Sequence, residues 1–280
     1  MLKKIAILPN AGKDIGLVHT KRIIEYLKDK AELYMPTEYS EAECGVLYSD
    51  DLFKKADAAI VLGGDGTIIQ CATDCAKNNI EVLGINLGTV GFMTEVEIEN
   101  VTEALDKLIL GEYSVEERML LKAEIIRRDN TVASYHALND IVLSKTVGEK
   151  LINLELYTDD NLVNRYVADG LIIATPTGST GYSISAGGPV SDPTMQLYIA
   201  TPICAHMLSV RSAVLSSEKD IEIRFQNNMS EQNAVVTADG DVCGYINGTD
   251  RVKITKSKYA FKLIKTANRS FYETLLNKLS

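Results

Sequence analysis

Apolar and polar positions along the first third of this chain alternate between two periods. Residues 5–8 (Ile5-Ala6-Ile7-Leu8) and 58–62 (Ala58-Ala59-Ile60-Val61-Leu62) carry no polar position, the pattern of strands covered on both faces. Each run gives way to helical spacing: Ile23, Ile24 and Leu27 after the first, Ile68, Cys71, Ala72 and Cys75 after the second. Residues 31–35 form a weaker strand pattern and 81–87 a stronger one, and Val101, Leu105, Leu108 and Ile109 mark a third helix that stops at Gly111. The acidic stretch holding Glu38, Glu41, Glu43, Asp50 and Asp51 reads as a solvated connection.

From about Glu116 the texture changes to strand patterns separated by turn signals. Strands are predicted over 120–127, 132–143, 151–158, 162–168, 171–175, 221–225, 234–237, 252–255 and 259–264, with turns at Asp129-Asn130 and Asp159-Asp160-Asn161. The last residues return to helical spacing through Phe271, Leu275, Leu276 and Leu279. The expected fold class is therefore α/β plus all-β. An α/β domain spans residues 1–115, a β domain 116–265, and a final helix over 266–280 packs back on the first domain.

The strand at 58–62 stops at Gly63-Gly64-Asp65-Gly66-Thr67. Gly63, Gly64 and Gly66 lack Cβ atoms, so the backbone there can take positive φ and bring N–H groups close to a ligand, with the positive end of the next helix behind them. That arrangement suits phosphate. Asp65 would repel phosphate unless it serves a hydroxyl, a proton or a metal, so it reads either as a base for phosphoryl transfer or as a cap for a helix starting at Thr67. The P-loop spacing fails, because Thr67 and Ile68 stand where Lys and Ser/Thr would follow the glycine, and Gly-x-Gly-x-x-Gly is absent at this turn. A second glycine loop, Gly88-Thr89-Val90-Gly91-Phe92, follows the strand at 81–87. If the sheet is parallel, both loops leave neighbouring strands at their carboxyl ends, where Phe92 either packs in the core or faces a nucleobase.

Two segments of the β part carry more than strand propensity. Asn139-Asp140 interrupts the apolar run 137–143 with side chains that need partners if buried. Residues 169–189, from Asp169 through Thr175-Pro176-Thr177-Gly178-Ser179-Thr180-Gly181-Tyr182-Ser183-Ile184-Ser185 to Pro189, are dominated after Thr175 by hydroxyls and glycines. This is the composition of a loop wrapped around a ribose or diphosphate.

A net charge of −9 excludes a nucleic-acid groove, so an anionic substrate must be held locally, by backbone donors, helix ends and Mg²⁺. Cys44, Cys71, Cys75, Cys204 and Cys243 form no Cys-x-x-Cys pair, and no protein metal ligands are identified. The basic-then-apolar N-terminus ends at Pro9-Asn10, short of a signal-peptide core, and no stretch is long enough to span a bilayer. A cytoplasmic protein without membrane partners is expected. His19 and His206 read as solvated, capping or packing residues.

Taken together, Gly63 to Thr67, Asn139-Asp140 and Thr175 to Thr180 resemble the ATP- or polyphosphate-dependent NAD kinases. The first motif is shared with diacylglycerol and sphingosine kinases; the third, continuing to Ala186-Gly187-Gly188-Pro189, points to the NAD kinases. The resemblance extends to Pro202-Ile203-Cys204-Ala205-His206 and the closing helix. It implies a Rossmann-like N-terminal domain, a β-sandwich-like C-terminal domain, and an active site between them in a homo-oligomer, dimer or tetramer. It also implies Asp65 as catalytic base toward the adenosine ribose 2′-hydroxyl of NAD, with Mg²⁺ and ATP or polyphosphate as phosphoryl donor. Asn139 and Asp140 would hold NAD, Asp169 would contact its ribose or amide, and Thr180, Gly181, Tyr182, Ser183 and Ser185 would line the adenosine pocket. Lys150 would reach the ligand from a loop or a neighbouring subunit. Gly181 stands where the family usually has alanine, Ala205 where proline often precedes the histidine, and Ser212 where proline often follows Arg211. The competing expectations are a lipid kinase using the same glycine turn and a catalytically silent dinucleotide-sensing module.

Overall fold

The computed structural model describes residues 3–40, 45–89, 91–94, 96–148, 150–206, 211–226, 233–267 and 270–279. The readings that fall on Met1, Leu2, Glu41, Glu43, Cys44 and Val90 lie outside the described residues, as does the side chain of Leu279. Two compact units are present: residues 1–117 with 259–280, and residues 118–258.

The first unit contains β1 (Lys3–Pro9), α1 (Val18–Leu27), β2 (Ala31–Met35), β3 (Val46–Tyr48), β4 (Ala58–Gly63), α2 (Asp65–Lys77), β5 (Glu81–Asn86), β6 (Val96–Glu97) and α3 (Val101–Leu110). All its strand pairs are parallel, in the order β3-β2-β1-β4-β5-β6. The chain leaves β1 toward β2 on one side and β4 toward β5 on the other, so the strand order reverses between β1 and β4. In an open parallel sheet that reversal opens a crevice at the carboxyl ends of the two strands. Every residue of β4 is buried, as its unbroken apolar run requires. Ile23, Ile24 and Leu27 of α1 and Val101, Leu105 and Leu108 of α3 pack on the same core. β3 is a short parallel edge strand in the segment expected to be only a connection; its Val46-Leu47-Tyr48 run was the available signal.

The second unit begins within β7 (Ser114–Arg127) and continues through β8 (Asn130–Ala137), β9 (Asp140–Lys145), β10 (Ile152–Thr158), β11 (Asn161–Ala168), β12 (Gly170–Ala174), α4 (Tyr182–Ser185), β13 (Leu197–Ile203), β14 (Ala213–Ser216), β15 (Ile221–Phe225), β16 (Asn233–Ala238) and β17 (Asp241–Asn247) into β18 (Arg251–Lys265). One antiparallel sheet runs β14-β13-β12-β9-β16-β17. β7, β8, β10, β11, β15 and β18 supply the facing layer. Leu121, Leu143, Leu156, Ile173, Val236 and Ile254, drawn from both layers, share one core, which makes the unit sandwich-like. The strand expected over 132–143 is two strands, broken at residues 138–139.

The last helix, α5 (Phe271–Leu279), belongs to the first unit, and the Phe271 ring lies 5.5 Å from that of Phe92.

Candidate active site

Asp65 is the first residue of α2, after Gly64 as N-cap, so the helix begins two residues before Thr67. Its carboxylate turns away from its own helix. Oδ2 accepts the Phe92 N–H at 2.8 Å, and Oδ1 accepts those of Met93 and Thr94 at 3.0 and 3.2 Å, with the Thr94 hydroxyl at 3.4 Å. The capping reading therefore fails: the carboxylate ties the loop after β5 to the turn after β4. Gly91 makes this approach possible, since a Cβ there would lie 2.0 Å from Asp65 Oδ1. Oδ2 receives a single N–H and retains a lone pair for a further hydroxyl.

Gly63 and Gly64 serve by close approach rather than by left-handed backbone, whereas a Cβ on Gly66 would meet open space. Gly63, Gly64 and Gly66 all have negative φ, which corrects the expectation of positive φ. A Cβ on Gly63 would sit 2.3 Å from Thr67 Oγ1. Thr67 Oγ1 accepts the Asn10 side-chain N–H at 3.0 Å and faces the Gly64 N–H at 3.4 Å, closing the turn. Phe92 packs against Phe271 on one side, and Lys278 Nζ lies 4.6 Å from its ring centre.

In the second unit, Asn139 and Asp140, Val142 and Ser144, Tyr182, and Thr237, Asp239 and Gly240 line one cavity of about 350 Å³. Sequence reasoning missed Asp239. The dipeptide Asp239-Gly240 is the two-residue turn between β16 and β17, with φ of 50° and 92°, and reads as a hairpin signal. Its carboxylate accepts the N–H groups of Leu138, Asn139 and Asp140 at 2.7, 2.7 and 3.0 Å, and this is what breaks the expected strand at 138–139. From the other side Thr175 donates its N–H to the Asn139 carbonyl at 2.8 Å and its hydroxyl to Leu138 O at 2.6 Å. Gly178 packs so closely that a Cβ would meet the Asn139 carbonyl at 2.1 Å. Asn139 Oδ1 is buried with no hydrogen-bond partner among the described residues.

The other expected residues distribute unevenly. Tyr182 is 48% exposed at the cavity. Ser183 is buried on Thr201 at 3.0 Å, Thr180 donates to Thr177 O at 3.3 Å, and Ser185 is exposed. A methyl on Gly181 would lie 3.3 Å from Gly178 O and 3.6 Å from Asn139 Nδ2, so the departure to glycine leaves space beside Asn139. Asp169 does not line the cavity. It precedes β12, whose first residue Gly170 pairs in register with Ser144 at the cavity's margin, and it forms an ion pair with Lys145 at 2.8 Å. Lys150 is exposed and also lies outside the cavity lining.

Burial, reinforced by the neighbouring Asp239 carboxylate, pushes Asp140 up to about 7. Burial also raises Asp239, against the three N–H groups that favour its charged form. The folded value of Asp140 lies above its unfolded one, so the native state keeps a proton that the unfolded chain releases. The resulting stabilisation is complete below about pH 4 and is lost as pH rises through about 7. Asp140→Asn is therefore expected to gain unfolding midpoint over wild type as the buffer goes from about pH 5 to about pH 8. A difference that stays constant across that range would exclude this titration.

A family model described as the ATP-NAD kinase N-terminal domain matches residues 46–113, and one described as the ATP-NAD kinase C-terminal domain matches residues 138–266. An NAD kinase of Caldanaerobacter subterraneus subsp. tengcongensis is 38% identical over 100% of this chain and 99% of its own length. One from Thermoanaerobacter sp. is 39% identical, also over 100% and 99%. Among solved structures, a yeast NADH kinase complexed with NADH shares the fold, with a TM-score of 0.90 and 24% identity over 99% of this chain and 87% of that one. An NAD kinase from Archaeoglobus fulgidus in complex with ATP gives a TM-score of 0.74 and 28% identity over 99% and 98%.

Proposed function

The chain belongs to the NAD kinase family, and on that premise we propose that it transfers the γ-phosphoryl group of ATP to the 2′-hydroxyl of the adenosine ribose of NAD, giving NADP and ADP. The observation that carries the chemistry is the Asp65 carboxylate, fixed by Phe92, Met93 and Thr94 at the carboxyl end of β4 with an acceptor position still open. In this reading Asp65 takes the proton of the attacking hydroxyl while the turn after β4 and the start of α2 face the donor phosphates. The O2′–Pγ bond forms as the bond from Pγ to the β-phosphate oxygen breaks, so no covalent enzyme intermediate is needed.

The cavity walled by Asn139, Asp140, Tyr182 and Asp239 receives part of NAD. Its support is the unpartnered Asn139 Oδ1, a buried acceptor awaiting a donor. The residues present also fit a metal carried in by the donor phosphates, for which one or two protein oxygens suffice. Asn86 Oδ1, buried without a partner among the described residues, belongs to the residue paired in register with Gly63. It is the oxygen that would face Mg²⁺ or a water bound to it. When bound, Mg²⁺ neutralises charge on the donor phosphates.

Incubating the purified protein with NAD, ATP and Mg²⁺ is expected to yield NADP; no NADP under these conditions would reject the reading in favour of a silent binding module. Inorganic polyphosphate in place of ATP tests the breadth of the donor site. Asn139→Ala is expected to raise KM for NAD roughly tenfold, the value of one hydrogen bond that is otherwise left unmade. An unchanged KM with intact folding would remove Asn139 from the site.

A further inference from the structure

The glycine turn carries no lysine of its own for the donor phosphates, but the fold delivers one from a different part of the chain. Residues 10–16 follow β1, and β1 and β4 are the neighbours at which the strand order reverses. The loop after β1 therefore stands beside the glycine turn after β4. Asn10 locks the two together: its N–H bonds Leu62 O at 2.8 Å and its side-chain amide bonds Thr67 Oγ1 at 3.0 Å. The loop is also closed on itself, with the N–H groups of Lys13 and Asp14 on the Asn10 carbonyl at 2.9 and 2.8 Å and that of Gly12 on Asn10 Oδ1 at 3.1 Å. Beyond it, the buried Asp14 carboxylate accepts the N–H groups of His19 and Thr20, fastening the loop to α1.

Lys13 is the residue that this clamped backbone presents. Its ammonium lies against the glycine turn: a Cβ on Gly64 would be 2.7 Å from Lys13 Nζ, and one on Gly88, in the second glycine loop, 3.9 Å away. Among the described residues the ammonium has neither an ion pair nor a hydrogen bond. Lysines elsewhere, such as Lys28, Lys54, Lys107 and Lys145, pair with carboxylates at 2.7–2.8 Å. This one is instead held between two glycine loops and the N-terminus of α2, where the positive end of a helix already disfavours a cation. An unpaired ammonium in that position lacks only an anion.

We propose that Lys13 is a further catalytic residue, the cation that binds the β- and γ-phosphates of the donor and stays protonated while the phosphoryl group moves. The inference rests on the reading of the chain as an ATP-dependent NAD kinase, and it places on Lys13 the role that a P-loop lysine has immediately after its glycines. Asp65 and Lys13 then divide the work, the carboxylate facing the acceptor hydroxyl and the ammonium the donor.

Lys13→Gln is the test, because the side chain is exposed and without partners among the described residues, and its removal is expected to leave the unfolding midpoint within about a degree of wild type. Steady-state constants are measured against ATP and NAD separately. The expected result is a fall in kcat/KM for ATP of roughly ten- to a hundredfold, the value of a charge-assisted hydrogen bond, with KM for NAD within about twofold and most of the loss recovered in Lys13→Arg. Calorimetric titration with sodium tripolyphosphate is expected to give weaker binding to Lys13→Gln than to wild type. ATP constants within about twofold of wild type, or an equal rise in both KM values, would overturn the proposal. Should wild type produce no NADP, the kinase reading falls on its own, and the tripolyphosphate titration still decides whether Lys13 holds phosphate.

Discussion

Replacing Asp65 by asparagine is expected to lower kcat by roughly 10²- to 10⁴-fold, the usual consequence of losing one positioned general base, while the affinity for NAD measured by calorimetry stays close to wild type. The variant keeps an oxygen for Met93 and Thr94 but turns an amide N–H₂ toward Phe92 N–H or the substrate hydroxyl, so it removes the proton acceptor at nearly constant shape. Turnover comparable to wild type would take Asp65 out of the reaction. Gly91→Ala checks the same point from the partner side. Its methyl would fall 2.0 Å from Asp65 Oδ1, displacing a chemically intact carboxylate, and kcat is expected to fall with it. A variant that left kcat untouched would mean that the loop after β5 does not position the base.

The second large effect is expected at Asp239, which no part of the sequence reading singled out. Asp239→Ala deprives the N–H groups of Leu138, Asn139 and Asp140 of their acceptor, and lost acceptors of this kind cost about 1–3 kcal/mol. The denaturant midpoint should therefore fall, without a change in m. The corner that aims Asn139 and Asp140 into the cavity should loosen with it, so KM for NAD is expected to rise more than kcat falls. Burial remains the main reason Asp140 holds its proton, but the neighbouring negative charge is gone, and the pH dependence of stability should weaken. An alanine variant with wild-type stability and wild-type KM for NAD would show that Asp239 is only a turn residue.

The fold class was legible because its physical causes are local. A parallel strand covered on both faces has nowhere to put a polar side chain, so β1 and β4 read as uninterrupted apolar runs, and helical spacing begins where each turn ends. Other elements escaped for equally specific reasons. β18 was expected as two strands, 252–255 and 259–264, but one strand runs through the exposed Lys256 and Lys258, and the buried positions change parity between Ile254 and Ser257. β13, β14 and β17 were missed: β13 contains Pro202, β14 has four residues, and β17 carries Gly244 and polar positions. None of the three turn glycines has positive φ: at Gly63 and Gly64 the missing side chain makes room for Thr67 and Lys13, and Gly66 faces open space.

What the sequence determined by itself is the kind of chemistry: a carboxylate in a glycine turn after a buried strand, an Asn-Asp pair inside an apolar run, and a hydroxyl-rich loop, in an order that resembles one family. What only the tertiary structure decided is which groups those residues meet. Asp65 bonds to a loop 27 to 29 residues away, and Asp239 to a corner 99 to 101 residues upstream. Lys13 reaches the glycine turn because β1 and β4 are neighbours at the point where the strand order reverses. Backbone period and turn chemistry are written in adjacent residues, whereas the partner of a buried carboxylate is set by strand order and register, which bring together positions that no local pattern relates.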